Sequence, residues 1–142
     1  FEAVVLEALL NIPLEQIKKL KIQKHPFKVM LGDIMEHYPH GRLFDFDGSD
    51  EDLERFNSRS ISVTGLLCGT KVKTSTDTAG TIEKTYNDTI KADGARRYAW
   101  IYPTEVEGRF NQIEAQYELN FTLPKGSYAT VLIEELAKKK IN

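Results

Sequence analysis

Apolar side chains fall on every second position at Ala115, Tyr117, Leu119 and Phe121. That two-residue period puts them on one face of an extended chain and scatters them around a helix, so "EAQYELNFTLP" predicts a strand. "RRYAWIYP" and "EVEGRF" just upstream read the same way. Before Gly94 the texture is different. Val5, Leu6, Leu9 and Leu10 share one helical face within residues 2–10, and Leu14, Ile17 and Leu20 line a short helix that Pro13 opens. Ile82, Tyr86 and Ile90 recur at every fourth position, which predicts a helix over Ala79–Asp93 stopped by Gly94. The switch at Gly94 is the expected domain boundary, with residues 1–93 before it and 94–142 after.

Local signals fill in the rest. "HPFKVMLGDIMEHYPHGRLFDFDG" is rich in strand formers and broken by Gly32 and by Pro39-His40-Gly41, which predicts a hairpin of Asp33–Tyr38 with Arg42–Phe46. Ser49 with Asp52 resembles a capping box, and Asp50, Glu51 and Asp52 load the first turn with charge suited to a helix dipole; that helix should run to about Asn57. "ISVTGLLCG" alternates as a strand does, and the last element should be a helix from about Ser127 to Lys139. Helices and antiparallel strands mix without regular βαβ alternation, so the expected class is α+β.

Composition excludes several functions. A net charge of −2 does not suit a stand-alone nucleic-acid binder, which is usually strongly basic. The charge is uneven, however: residues 1–70 carry eight Lys and Arg against eleven Asp and Glu, and residues 71–142 eleven against ten, so a polyanion would favour the second half. One cysteine, Cys68, allows no internal disulfide. Apolar runs are far shorter than the roughly 20 residues of a membrane span, so no membrane partner is expected and the expected location is cytoplasmic. "GLLCGTK" at 65–71 lacks the glycine span and Lys-Ser/Thr of a phosphate-cradling loop. Asp33, His37 and His40 lie close in sequence but do not make a four-ligand zinc pattern, so no metal site is assigned. Phe1 starts the chain inside an apolar helical pattern without Met or cap, as expected of a piece cut from something longer.

Two features remain with two readings each. Arg96-Arg97 after Gly94 is either a guanidinium clamp for phosphate or a solvated, carboxylate-paired strand start. Tyr128, after a Pro-Lys-Gly corner and at a helix start, is either a core anchor beside Val131 and Leu132 or a ring offered to a planar ligand.

"LPKGSYATVLIEEL" (123–136) resembles the C-terminal signature of the TruD family of tRNA pseudouridine synthases, a Leu-Pro-x-Gly-Ser-aromatic-Ala-Thr run leading into a helix. "HPFKVMLGDIMEHYPHGRLFD" is similar to that family's Gly-Asp hairpin, "FNSRSISVTGLLCGTK" to its Thr-Gly-x-Leu-x-Gly segment and "GARRYAWIYP" to its Gly-x-Arg-Arg strand. The four blocks stand in the family's order over about residues 25–136. The resemblance implies an enzyme that detaches a uracil in tRNA, typically at position thirteen, rotates it and re-attaches it through carbon. It implies one essential aspartate and neither metal nor organic cofactor. Tyr128 then takes the place of the ring that packs on the target base, with Lys125, Arg96 and Arg97 as phosphate or structural support. Residues 1–93 become mostly the family's inserted domain, and 94–142 the last strands and helix of the catalytic domain.

The family's Gly-x-Lys-Asp and Asn-x-Phe-Gly blocks are absent from these 142 residues, and Gly69-Thr70-Lys71-Val72 has valine where the acid would stand. No catalytic residue is therefore assigned, and the chain alone should be inactive. Its expected partners are tRNA and the missing N-terminal part of the catalytic domain; the alternative is a non-catalytic RNA-binding module. Open strand edges invite pairing, so the isolated chain is expected to dimerise, exchange strands or lose order within 94–142. Light scattering that finds a sharp monomer, with those residues fully ordered in a crystal, would contradict this.

Overall fold

The computed structural model describes residues 12–88 and 90–140, and these form an α+β protein. The amphipathic pattern at 2–10 lies outside the described residues. The chain divides into two compact units, Phe1–Trp100 and Ile101–Asn142.

In the first unit, α1 (Leu14–Ile22) starts immediately after Pro13 and buries Ile17. The hairpin follows as β1 (Ile34–His37) and β2 (Leu43–Asp45), antiparallel with Met35 opposite Phe44. Next come α2 (Asp50–Asn57), β3 (Ile61–Leu67), α3 (Asp77–Glu83) with a tight turn at Lys84–Tyr86, and β4 (Ala95–Tyr98). The sheet order is β2-β1-β3-β4, antiparallel throughout, which leaves β4 at an edge. Ser49 caps α2 as expected, its Oγ accepting the Asp52 N–H at 3.3 Å. One side of the sheet then packs Met35, Ile61 and Val63 with Phe56 of α2 and with Val29 and Phe46.

Trp100 closes this unit. Its ring meets those of His25 and Phe27 edge-on at 5.2 and 6.4 Å, its carbonyl accepts the Ser62 hydroxyl at 3.2 Å, and the Ala99 N–H donates to Val63 O at 3.0 Å. Because β4 pairs with β3 and Trp100 packs on His25 and Phe27, the compact unit runs past the change of texture at Gly94.

The predicted helix over Ala79–Asp93 is shorter in the structure. Regular helix ends at Glu83, and Tyr86 is 74% exposed. The chain beyond it is drawn into a strand-like crossing: Thr70 N–H donates to Ala92 O, and Gly94 N–H to Thr70 O, both at 2.7 Å. The crossing is so close that a Cβ on Gly69 would lie 2.4 Å from Gly94 N. Gly32, at φ +84°, makes a second close approach, where a Cβ would lie 2.1 Å from Thr76 O. Thr76 N–H in turn donates to Gly32 O at 3.0 Å, and Ala79 N–H to Leu31 O at 3.1 Å, so the segment entering α3 is bonded to the chain entering β1.

The second unit is a two-stranded hairpin, β5 (Thr104–Asn111) with β6 (Gln116–Thr122), followed by α4 (Ala129–Ala137). Asn111 Oδ1 accepts the N–H groups of Ile113 and Glu114 at 3.1 and 3.3 Å and shapes the turn. Ala115 sits in that turn at φ +52°, not in the strand its spacing predicts. Tyr117 lies across Gly108, whose Cβ would meet its hydroxyl at 2.5 Å. None of the described residues from 101 to 140 is buried, and Val106, Phe110, Val131 and Leu136 are each more than half exposed. One hairpin and one helix offer too little surface to bury both apolar faces.

Asp33, beside Gly32, accepts the Met30 N–H at 2.7 Å. Burial pushes its carboxyl up to about 6; the Met30 bond and Arg96 oppose the rise, and Glu83 adds to it. The folded state thus binds a proton more tightly than the unfolded chain. Asp33 stabilises the fold fully below its unfolded value of 3.8, and that contribution is lost as pH rises through about 6. Asp33→Asn is expected to gain stability relative to the parent between about pH 4 and 7, by at most about 3 kcal/mol, and no further above that. Urea unfolding at four pH values measures it, and a difference that does not change with pH would contradict it.

Candidate nucleic-acid interface

Side chains alternate across β4, so Arg96 and Arg97 point to opposite faces of the sheet. Arg96 points inward, its side chain only 2% exposed. Nη1 stands 2.8 Å from Glu83 Oε2, and Nη2 donates to Oε1 at 2.9 Å, the paired fork that suits a carboxylate. Nε donates to Lys73 O at 2.7 Å. The Ser75 N–H and hydroxyl complete the shell of the Glu83 carboxylate at 2.8 and 2.9 Å. Burial alone raises the Glu83 carboxyl, but the bonds from Ser75 and Arg96 outweigh it and hold it below the usual glutamate range. With its donors committed to Glu83, Ser75 and two carbonyls, Arg96 has the carboxylate-paired arrangement, one of the two readings of the Arg-Arg pair.

Arg97 lies on the other face, exposed and opposite Gly65 of β3. Nothing lies within 4 Å of where a Gly65 Cβ would stand, so the surface beside Arg97 is open. Tyr98 points inward again, and its hydroxyl donates to His37 O and Pro39 O, each at 2.9 Å. Burial, with Glu36 nearby, raises its phenol well above the ordinary tyrosine value and keeps it protonated. Glu83 does not stand out in the sequence as a partner of this strand, since it lies 13 positions before Arg96 and in another element.

Lys125 and Tyr128 sit together in the second unit. Pro124 O accepts the Ser127 N–H at 3.2 Å, with Gly126 at φ +88°, the backbone of a turn that needs glycine in its third position. Lys125 is at the exposed tip of that turn, and Tyr128 is the N-cap of α4. The Tyr128 carbonyl accepts the Leu132 N–H at 3.4 Å, and the residue is 62% exposed. It is exposed within the described residues, in a unit where no described residue from 101 to 140 is buried.

Among the described residues no three His, Cys, Asp or Glu side chains converge as a metal site would require. His37 instead faces Arg55 at 3.3 Å and the Phe44 ring at 5.5 Å. No helix among the described residues is long and apolar enough to cross a membrane.

Comparison with known proteins adds the chemical context. The family described as tRNA pseudouridine synthase D (TruD) matches residues 15–136. The chain is 62% identical over 141 residues to the tRNA pseudouridine synthase D of Sulfurimonas denitrificans, covering 99% of this chain and 40% of that protein. It is 50% identical over 131 residues to the protein of the same name from Wolinella succinogenes, covering 92% of this chain and 36% of that protein. Against that of Nitratiruptor sp. it is 49% identical over 133 residues, covering 93% and 37%. The chain thus spans about two fifths of the length of these relatives. A match of that extent, carrying the Arg96-Arg97 strand and the Lys125–Tyr128 turn described above, places the chain in the tRNA pseudouridine synthase D family.

Proposed function

We propose that this chain is the inserted domain and the C-terminal end of the catalytic domain of a tRNA pseudouridine synthase, an isomerase that converts a tRNA uridine, typically at position thirteen, to pseudouridine. The observation that carries the reading is the exposed Tyr128 ring at the start of α4, one turn after a glycine corner whose tip is Lys125. An aromatic face held at a helix start is suited to stacking on an extruded pyrimidine, and extrusion is what exposes the carbon that must be re-attached. Lys125 then meets a phosphate near the extruded nucleotide, and Arg97, on its own unit, meets another by a bidentate fork. Arg96 is structural support, because its guanidinium is occupied inside the fold.

The aspartate that attacks or deprotonates lies in the remaining part of the enzyme, which also supplies the strands and apolar surface that cover β5, β6 and α4. The unburied second unit supports this. On this reading the chain by itself binds no catalytic acid to its substrate and turns over nothing.

In the full-length protein that contains this chain, Tyr128→Ala is expected to lower pseudouridine formation about 5- to 150-fold, the rate equivalent of losing about 1–3 kcal/mol of stacking. Tyr128→Phe, which keeps the ring, is expected to retain most of it. Isomerisation assayed by tritium release from labelled tRNA reads both. Unchanged turnover in Tyr128→Ala overturns the stacking role, and turnover by the isolated chain overturns the placement of the acid elsewhere.

A further inference from the structure

An arginine pair on an edge strand has a built-in ambiguity. If β4 slid along β3 by one residue, so that each residue took its predecessor's place, Arg97 would fall where Arg96 stands and could fork onto Glu83 just as well. A one-residue slip turns every side chain of a strand to the other face, so the ion pair alone cannot keep Arg97 outward.

Three consequences of the slip remove the ambiguity. The slip puts Ala95 in the place of Gly94, where a Cβ would meet Val72 Cγ1 at 2.8 Å and Leu67 O at 2.9 Å. It puts Ala99 in the place of Tyr98 and strands the carbonyls of His37 and Pro39 without their hydroxyl. The same slip turns the Tyr98 ring to the open face beside Gly65. Both inward side chains of β4 are thus held by hydrogen bonds, Arg96 at one end and Tyr98 at the other, and Gly94 fits only where it is. Buried ionic groups are best attested as devices that specify register, and β4, only four residues long with one neighbour, has little else to specify it.

We infer that Glu83, Arg96 and Tyr98 are positioning residues for Arg97: the Glu83 fork holds the edge strand in place while Tyr98, with Gly94, sets its register, so that one guanidinium is buried on Glu83 and the next lies on the opposite face, beside the bare backbone of Gly65, for an RNA phosphate. The inference rests on the reading of Arg97 as a phosphate contact. Glu83 touches no RNA in it and acts only through the strand. Removing its charge leaves Arg96 without its carboxylate, lets the edge strand fray, and withdraws Arg97 from its place.

The test is a double-mutant cycle on tRNA binding by the full-length protein that contains this chain, read as the slope of log affinity against log salt, with folding checked by circular dichroism. Arg97→Ala is expected to reduce the slope by about one, the loss of a single phosphate contact. Glu83→Gln is expected to reduce it by the same amount although Arg97 is still present, and Glu83→Gln with Arg97→Ala to be no lower than either alone. Should Glu83→Gln not fold, Tyr98→Phe, which deletes one hydroxyl, enters the same cycle with the same expectation. A variant at 83 or 98 that is folded, keeps the parent slope and leaves Arg97→Ala fully costly overturns the inference while sparing the role of Arg97. A parent slope unchanged by Arg97→Ala overturns the role of Arg97 and the inference with it.

Discussion

The buried fork between Arg96 and Glu83 organises the first unit. Two charges removed from water are tolerable only when nearly every donor and acceptor finds a partner, and here the carboxylate has four close contacts, two from the guanidinium and two from Ser75. Satisfying them requires the Lys73–Ser75 segment to pass beside β4 and α3 to end where Glu83 does. That path brings Thr76 onto the backbone of Gly32 and so onto the chain entering the hairpin, where Asp33 is held. A hydrophobic pair could stabilise the same space comparably, but losing one partner of a buried ion pair costs about 3–5 kcal/mol. Such a pair is therefore better at rejecting alternative arrangements than at adding stability.

The two compact units differ in how complete they are by themselves. The first buries Phe56, Met35, Val63 and their neighbours, and Trp100 packs edge-on against His25 and Phe27. The second buries nothing among its described residues, although its sequence alternates as a core strand does. Tyr117 and Phe110 face each other across the hairpin and are both open. Apolar alternation without burial is what a strand pair shows when its covering layer comes from elsewhere, in keeping with a chain that spans about two fifths of its relatives.

Local chemistry was legible in the sequence wherever a short-range rule decided it. Ser49 caps α2, Pro13 precedes α1, and the Pro-Lys-Gly corner is a turn because Gly126 alone accepts its backbone. The hairpin at 34–45 followed from strand formers flanking Pro39-His40-Gly41. Long-range contacts decided the rest. Ile90 continued a helical period, but pairing between Thr70 and Ala92–Gly94 removed that segment from the helix. Ala115 continued a strand period, but the Asn111 side chain had already turned the chain. Of the site residues, Tyr128 and Lys125 lie on a motif that marks their position. Arg96 and Arg97 are the same residue type in adjacent positions, and only the fold separates the one buried on Glu83 from the one left exposed.

On the proposed function, Tyr128 meets the extruded base and Arg97, held by the strand it lies on, meets the backbone. A structure of the full-length protein bound to tRNA reads both contacts. It should show the Tyr128 ring stacked face to face on an unpaired uracil and the Arg97 guanidinium on a phosphate, with Arg96 still on Glu83. A Tyr128 ring packed inside the protein while the flipped base rests against other residues would contradict it.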